Sequence, residues 1–265
     1  MQNNYYIHNI NPLAIEIGTF TLPWYWLVYF VGLLWTLFMV HRLNKELDLG
    51  LSSKDVADYF QWSWISLFFG ARLFYILVYN LDFFLQHPHM IPKIWLGGMS
   101  FHGALLGITF SLYFTAKWKK QDFLLIGDCI ATVAPMVLGF GRIANFINGE
   151  LAGRAASVPW AVIFPRYKDG IPRHPSQLYQ AILEGFILFF ILRYSRGRIK
   201  SHRGHQSSIF LIGYGIARFV VEFFREADPQ LGYYFLGLTM GQLLCLAMIL
   251  TGAYLITRSS KSKST

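Results

Sequence analysis

The sequence predicts an all-α polytopic membrane protein with about seven transmembrane helices and a small periplasmic head region. Hydrophobic residues make up 54% of the 265 residues, whereas charged residues make up only 14%. A soluble domain usually carries about 25% charged residues. The apolar residues form long runs, and aromatic residues are abundant, with 24 Phe, 15 Tyr and 8 Trp. Composition and run length together therefore indicate a chain that crosses a bilayer repeatedly.

Seven apolar runs are the candidate membrane spans. They cover about residues 22–40, 56–79, 94–115, 123–140, 176–192, 209–224 and 236–256. Trp24 and Trp26 stand at the start of the first run, where an aromatic belt is expected at the membrane surface. The preceding segment, 1–21, is mixed in character and is interpreted as an interfacial segment. We assign the whole chain, 1–265, to a single integral membrane domain.

The section between the fourth and fifth runs, residues 141–175, is the longest part of the chain without a continuous apolar run. It contains four prolines, and the apolar stretch 160–164 gives it a hydrophobic anchor. Prolines at this density interrupt regular helix. We therefore predict that this section forms a small head region or an ordered loop inserted between spans four and five.

The distribution of lysine and arginine predicts the orientation of the chain. The loops after spans one, three and five and the C-terminal tail hold 14 of the 23 Lys and Arg residues, whereas the opposite side holds seven. The positive-inside rule then places the C-terminus in the cytoplasm and the N-terminus outside. The net charge of +9 is explained by these loops and by anionic lipid, so nucleic acid is not an expected partner.

The densest group of polar residues follows the fourth run, in residues 139–154. The members of this group are Arg142, Asn145, Asn148, Glu150 and Arg154, separated by Gly139, Gly141, Gly149 and Gly153. Polar groups at the end of a membrane-length segment are costly unless they bind something polar. Five of the seven outward-facing cations lie between Arg142 and Arg173. The simplest task for this stretch is therefore to hold an anion.

Other polar side chains are predicted to lie at the same depth on the same side. His102 falls early in span three, and Tyr25 falls at the start of span one. Arg218 and Glu222 are four residues apart on span six, so they share one helical face. Tyr214 lies one turn before Arg218 on that face. This coincidence of depth is not expected if each residue has a separate structural role.

The residue types in this group favour recognition of a phosphate. Arginine forms bidentate pairs with phosphate and stays charged in a dry setting. Arg142 and Arg218 are therefore predicted to hold one phosphodiester, while Glu150 and Glu222 orient them or bind hydroxyl groups. His102 is the candidate proton acceptor, because histidine takes up a proton near neutral pH.

Structural alternatives stay open for several of these residues. Arg218 and Glu222 could form only an i,i+4 pair that makes span six insertable. Arg72 and Asp128 could form a buried structural pair. Glu184 lies in the middle of span five without an obvious partner, and we interpret it as structural.

Several other kinds of site are not indicated. His87 and His89 lie in a proline-containing loop without a carboxylate-rich set, so no metal site is predicted. Cys129 and Cys245 both lie inside apolar runs and form no CxxC motif, so neither a disulfide framework nor a zinc site is suggested. The sequence also contains no P-loop and no GxSxG motif.

Residues 141–153 match the pattern Gly-Arg-x-(Gly/Ala)-Asn-Phe-x-Asn-x-Glu-x-x-Gly, and the chain thereby resembles the bacterial prolipoprotein diacylglyceryl transferase family. The resemblance covers nearly the whole chain. It is supported by four further segments, 24–25, 102–103, 173–179 and 214–225. No metal or soluble cofactor is expected from it.

The resemblance implies a reaction and a set of partners. Members of the family move the diacylglyceryl group of phosphatidylglycerol onto the lipobox cysteine thiol of a prolipoprotein signal peptide. A thioether forms, and glycerol phosphate leaves. The family also implies seven spans and a location in the bacterial inner membrane. The alternatives are an anionic-phospholipid transporter or flippase, or another lipid head-group transferase.

The resemblance also implies roles for individual residues. Arg142 and Arg218 would bind the phosphate, Glu222 would hold Arg218, and His102 would act as base toward the thiol; these four are the catalytic candidates. The substrate-binding candidates are Tyr25, Arg142, Asn145, Glu150, Gly153 and Tyr214. In this set, Asn145 and Glu150 would position the head-group glycerol and Arg142.

Overall fold

The computed structural model describes residues 5–18, 20–199, 201–226 and 237–261, and most of them are helical. The α-helices are α1 (Trp24–Leu47), α2 (Ser53–Phe74), α3 (Leu81–Gln86), α4 (Phe101–Lys119), α5 (Phe123–Ile147), α6 (Ser176–Gln180), α7 (Leu188–Ser195), α8 (His205–Glu222) and α9 (Met240–Lys261). The π-helical segment Tyr75–Tyr79 continues α2, and a second one, Ala181–Ile187, joins α6 to α7. Short 3-10 turns cover Pro88–Met90, Ile94–Leu96, Pro165–Tyr167 and Arg196–Arg198.

Within the described residues, five helical segments are long and apolar enough to cross a membrane. They are Trp24–Leu47, Ser53–Tyr79, Phe123–Ile147, Ser176–Arg198 and Met240–Arg258. This finding agrees with an all-α membrane protein. The other two predicted spans correspond to α4 and α8, which are helical but are not among the five. The count of seven spans stays a prediction.

Among the described residues, two small sheets accompany the helices, and the sequence pattern did not predict them. Strands β1 (Tyr6–Ile7), β4 (Val162–Ile163) and β5 (Pro172–Arg173) form one sheet, in which β1 is parallel and β5 antiparallel to β4. Strands β2 (Leu13–Ile17) and β3 (Phe20–Pro23) form an antiparallel hairpin. Gly18 lies in the hairpin turn with φ +59°, a conformation that glycine adopts without steric cost.

The chain divides into two compact units, one made of residues 1–39 and 130–265 and the other of residues 40–129. In the second unit, α2 and α4 make close backbone contact at three glycines, Gly70, Gly103 and Gly107. A Cβ atom on Gly70 would lie 2.9 Å from the Cα atom of Gly107, and one on Gly103 would meet the carbonyl oxygen of Gly70. Small residues of this kind let membrane helices approach closely.

Arg72, also in the second unit, stabilises the irregular segment that follows α3. Its Nε and two Nη atoms donate five hydrogen bonds to backbone carbonyls. The acceptors are the carbonyl oxygens of Met90, Ile91, Lys93, Gly97 and Gly98. The guanidinium also lies over the ring of Phe84, 4.9 Å from its centroid. The buried cation therefore satisfies loop carbonyls, a structural role that the proposed pairing with Asp128 did not anticipate.

Helix α5 is longer than the sequence predicted. The apolar run ends near residue 140, but the helix continues to Ile147 and includes Arg142 and Asn145. Asn145 is buried, and it is bonded within the chain, so its polar group does not require the helix to stop. The prediction that Arg142 and Asn145 lie beyond the helix was therefore wrong. The helix gives way to a turn at Gly149, where φ is +64°.

Candidate functional site

Arg142 occupies one of the last turns of α5, and its side chain is only 18% exposed. Its Nη2 atom lies 3.9 Å from Oε2 of Glu184, which belongs to the π-helical segment Ala181–Ile187. Glu184 is completely buried. The sequence suggested no partner for Glu184, and the structure supplies Arg142, which lies on α5 and is 42 residues earlier in the chain.

Asn145 and Glu150 are bonded to each other at the end of α5. Nδ2 of Asn145 donates to Oε1 of Glu150 at 2.8 Å, and the amide of Glu150 donates to the carbonyl of Asn145 at 3.0 Å. Gln177 on α6 donates from Nε2 to the carbonyl oxygen of Glu150 at 2.6 Å. The turn is therefore fixed from both sides, and the Glu150 carboxylate keeps one oxygen for other groups. Arg166 Nη1 lies 3.9 Å from that oxygen, Oε2.

Arg218 and Glu222 form the ion pair that their spacing on α8 predicts, which confirms the shared helical face. Nη2 of Arg218 lies 3.0 Å from Oε2 of Glu222, and the side chains are 13% and 7% exposed. The other carboxylate oxygen, Oε1, accepts a hydrogen bond from Thr239 at 3.1 Å. Nε of Arg225 lies 3.5 Å from Oε2. Glu222 therefore holds two arginines at the C-terminal end of α8.

Gly153 lies where three backbone segments meet. Its amide donates to the carbonyl of His174 at 2.9 Å, and Gly153 forms an antiparallel bridge with Arg225. The next residue, Arg154, donates from its amide to the carbonyl of Phe224 at 2.9 Å. Arg154 Nε also donates to the carbonyl of Arg225 at 2.6 Å. The segment after α5 is thereby tied to the end of α8, which carries Arg218 and Glu222.

Replacing Gly153 with alanine is expected to destabilise the protein by about 3 kcal/mol, at the upper end of typical overpacking costs. A Cβ atom there would meet the carbonyl oxygen of Phe224 and lie 2.8 Å from that of His174, so backbone has to move. The matched control is Gly141→Ala, because a Cβ at Gly141 has no neighbour within 4 Å. That variant is expected to gain about 0.5–1 kcal/mol from helix propensity. Thermal unfolding in detergent measures both changes, and equal midpoints for the two variants would contradict the prediction.

Tyr25, Tyr29 and Tyr214 belong to the first unit, which also holds Arg142 and Arg218. The hydroxyl of Tyr29 donates to that of Tyr25 at 3.0 Å, and their rings meet edge to face. Tyr214 is 1% exposed, and its ring stacks on that of Phe210 with 5.7 Å between centroids. The predicted residues Tyr25 and Tyr214 therefore lie in the unit that holds the arginines, and Tyr29 is an addition that the sequence analysis missed.

Arg173, in β5, lies at the centre of a polar cluster. Its Nη2 donates to Oδ2 of Asp169 at 2.6 Å, and its Nη1 donates to Oε2 of Glu226 at 3.0 Å. The guanidinium also lies 4.6 Å from the ring centroid of Tyr167. The Arg173 guanidinium holds the pKa of the Asp169 carboxyl below its ordinary value, and burial lowers the pKa of His174. Both shifts favour the forms that already dominate at pH 7, the Asp169 carboxylate and the neutral His174 imidazole.

His102 belongs to the other compact unit, residues 40–129, and it is the second residue of α4. Ser100 caps this helix by accepting a hydrogen bond from the amide of Gly103 at 3.3 Å. The imidazole packs edge to face against the ring of Phe101, with 5.6 Å between centroids. The role of His102 as a base stays a prediction.

Three residues that the sequence analysis did not select join the predicted ones: Glu184, Gln180 and Arg225. Gln180 and Glu184 are both completely buried, and they are hydrogen-bonded to each other at 3.1 Å. The available signal was the cost of a carboxylate inside an apolar run, which requires a cation at the same depth. Among the described residues, no group of three or more His, Cys, Asp or Glu side chains could hold a metal ion.

The fold and the site define a class of protein: a multi-pass membrane protein with buried arginines and carboxylates at the ends of its helices, suited to holding an anionic group. Comparison with known proteins is more specific. Residues 12–258 match the model of the family described as prolipoprotein diacylglyceryl transferase. The chain belongs to this family.

Similar proteins from several bacteria carry the name phosphatidylglycerol–prolipoprotein diacylglyceryl transferase. The protein of Pasteurella multocida is 45% identical over 97% of this chain and 95% of its own length. The protein of Idiomarina loihiensis is 44% identical over 97% of this chain and 96% of its own length. The protein of Rhodospirillum centenum is 42% identical over 94% of this chain and 92% of its own length. The family resemblance drawn from residues 141–153 is thereby confirmed.

Proposed function

We propose that this protein transfers the diacylglyceryl group of phosphatidylglycerol to the lipobox cysteine thiol of a prolipoprotein signal peptide. The protein is an enzyme, and its relatives are named for this activity. In the reaction, a carbon–sulfur bond forms at the carbon of the diacylglyceryl group that is bonded to the phosphate oxygen. The bond from that carbon to the phosphate oxygen breaks, and glycerol phosphate leaves with the electron pair.

One structural observation carries the assignment of the phosphate site. Nη1 of Arg218 is buried, and the residues that the structure describes offer it no hydrogen-bond partner. An unmet buried donor costs about 1–3 kcal/mol, and more when it is charged. An anionic oxygen would satisfy this donor. Arg142 lies in the same unit with a long, 3.9 Å contact to its carboxylate, so its guanidinium also retains donors for a phosphate.

The remaining candidates take supporting roles in this proposal. Arg142 and Arg218 stabilise the charge that develops on the leaving phosphate, as donors preorganised in a dry site do. Asn145 and Glu150 position the head-group glycerol. Tyr25 and Tyr214 bind or enclose the lipid. These roles follow from the contacts within the first unit and from the family resemblance.

Gly153 acts in this proposal by allowing close backbone approach. The segment that begins at Gly153 is bonded to the end of α8 through the carbonyls of Phe224 and Arg225. A larger residue would separate the Asn145–Glu150 turn from the helix that carries Arg218. Gly153 is therefore assigned to the substrate-binding set as a residue that shapes the site.

His102 accepts the thiol proton in this proposal, because the thiolate is the better nucleophile. His102→Gln is expected to lower the turnover number at least about 100-fold, the lower range for general acid–base catalysis. His41→Gln, at an exposed position of α1, is the matched control and is expected to retain the wild-type rate. Initial rates with lipid and peptide in excess measure both. A wild-type rate for His102→Gln would show that the base is another group.

The proposed setting is the bacterial inner membrane, with seven spans, a periplasmic N-terminus and a cytoplasmic C-terminus. The section 141–175 forms the periplasmic head in a single integral domain, although its first residues, to Ile147, continue α5. The partners are phosphatidylglycerol, the signal peptide with its lipobox cysteine, and membrane lipid. No metal or soluble cofactor takes part in the proposed reaction.

One assay tests the proposed function directly. Purified protein is mixed with phosphatidylglycerol and a peptide that contains a lipobox cysteine, and the thioether product is detected by mass. A peptide with serine in place of cysteine controls for attachment at the thiol. A mass increase equal to one diacylglyceryl group, with release of glycerol phosphate, is the expected result. No product from folded protein would overturn the proposal, and lipid movement without product would indicate a transporter.

A further inference from the structure

Glu184 is an internal carboxylate to which the proposed reaction gives no role. It has 0% relative exposure and belongs to the π-helical segment Ala181–Ile187. Its Oε1 accepts a hydrogen bond from Gln180, and its Oε2 faces Arg142 at 3.9 Å without a hydrogen bond. Burial of a carboxylate costs several kcal/mol unless a cation compensates it. Arg142 provides that compensation, so the charges of the two residues are coupled.

The backbone around Glu184 is built to bring it to α5. A Cβ atom on Gly185 would lie 2.5 Å from the Cα atom of Gly139, and one on Gly139 would lie 3.1 Å from the Cα atom of Gly185. The two helical segments are therefore in backbone contact one turn before Arg142. π-helical segments are rare and occur often at functional sites. Both features place a carboxylate where hydrophobic packing alone would not require one.

Glu184 is also connected to the second arginine of the proposed site. Gln180, its hydrogen-bond donor, accepts in turn from Nη1 of Arg225 at 3.4 Å. Nε of Arg225 lies 3.5 Å from Oε2 of Glu222, which pairs with Arg218 at 3.0 Å. Glu184 itself interacts electrostatically with Arg218. We call these five charged residues the arginine cluster, namely Arg142, Glu184, Arg218, Glu222 and Arg225.

The arginine cluster holds three positive and two negative side chains, so its net charge is one positive unit. A phosphodiester head group carries one negative charge and would neutralise it. Glycerol phosphate is a phosphomonoester, which carries about −1.5 to −2 charges at pH 7. A cluster with a larger positive charge would hold that product more tightly than the substrate. The number of carboxylates therefore sets the charge of the cluster relative to that of the product.

We propose that Glu184, together with Glu222, is a positioning residue that sets the charge of the arginine cluster to match a phosphodiester and to release a phosphomonoester. This inference rests on the proposed function. Glu184 touches Arg142 rather than the lipid, and it acts on the reaction by limiting the positive charge that the leaving glycerol phosphate meets.

The test compares the variants Glu184→Gln and Glu184→Asp with the wild-type protein. Glu184→Gln keeps the size of the side chain and removes its charge, so glycerol phosphate is expected to bind about tenfold more tightly, from one unit charge in a partly dry site. Glu184→Asp keeps the charge and is expected to stay within about twofold of wild type. The readouts are the inhibition constant of glycerol phosphate in the transfer assay and its dissociation constant by calorimetry. Unchanged or weaker binding to Glu184→Gln would overturn the inference, as would equal effects of both substitutions.

Glu226→Gln is the matched control, because it removes one negative charge at a side chain that is 54% exposed and pairs with Arg173 outside the arginine cluster. Its binding of glycerol phosphate is expected to equal that of wild type. If Glu184→Gln cannot be recovered folded, Glu222→Gln is measured instead, with the same increase expected and no increase overturning the inference. A wild-type protein without transfer activity would defeat the proposed function, whereas the calorimetric comparison tests the charge effect independently.

Discussion

Replacing Arg142 with alanine is expected to lower diacylglyceryl transfer at least about 100-fold, the typical cost of removing one preorganised donor from a developing oxyanion. The side chain is 18% exposed and faces Glu184 at 3.9 Å, so its donors are only partly used within the protein. Arg142→Lys keeps the charge but loses the planar fork that binds a phosphate with two parallel hydrogen bonds. Lysine is therefore expected to restore part of the rate, to about a tenth of wild type.

The matched control for Arg142 is Arg42→Ala. Arg42 also lies on a long helix and pairs with Glu46 at 2.7 Å, but its side chain is 55% exposed. Exposed pairs of this kind contribute about 0–1 kcal/mol, so neither folding nor transfer is expected to change. Steady-state rates at several lipid concentrations separate binding from turnover. Full turnover by Arg142→Ala would remove this residue from the phosphate site.

The contacts of the site that could be predicted from the sequence are those between residues that lie close together on one helix. The pairing of Arg218 with Glu222 follows from their i,i+4 spacing, and the structure gives the ion pair at 3.0 Å. The composition also predicted the helical membrane fold, because a shortage of charge and long apolar runs leave few alternatives. Local spacing and overall composition are read directly from the chain.

The contact between Arg142 and Glu184 was not predictable in the same way. The two residues are 42 positions apart, and their contact depends on the fit between Gly139 and Gly185. Apolar periodicity does not specify which pair of helices meets at such a point. Glu184 was therefore interpreted as structural, although its position inside an apolar run already implied an unseen cation.

The ends of helices were also predicted poorly from the sequence, and α5 illustrates the reason. The predicted end near residue 140 followed hydropathy, which falls at Arg142. The helix nevertheless extends to Ile147, because a polar side chain with partners inside the protein does not disturb the helical backbone. Strand β1 was not predicted for a related reason. It is only two residues long, and it is a strand only because it pairs with β4, far along the chain.

Neutralising both members of the Arg218–Glu222 pair is expected to separate the structural role of this pair from its chemical role. Arg218→Met alone leaves Glu222 with a weaker set of partners, and breaking a buried pair by removing one member costs about 3–5 kcal/mol. In the double variant Arg218→Met with Glu222→Gln, the carboxylate that lost its Arg218 partner is gone, and glutamine can still accept the hydrogen bond from Thr239. Arg225 loses the carboxylate at 3.5 Å but keeps its hydrogen bond to Gln180. Most of the lost stability is therefore expected to return, as measured by thermal unfolding in detergent.

Transfer activity is expected to behave differently from stability in the double variant. Nη1 of Arg218 is the buried donor assigned to the phosphate, so turnover of the double variant stays at least about 100-fold below wild type even when the fold recovers. A pair that serves only to make α8 insertable would give the opposite result, with activity returning together with stability. Measuring both quantities on the same preparations distinguishes the two roles, because recovered activity without Arg218 is incompatible with its assignment to the phosphate.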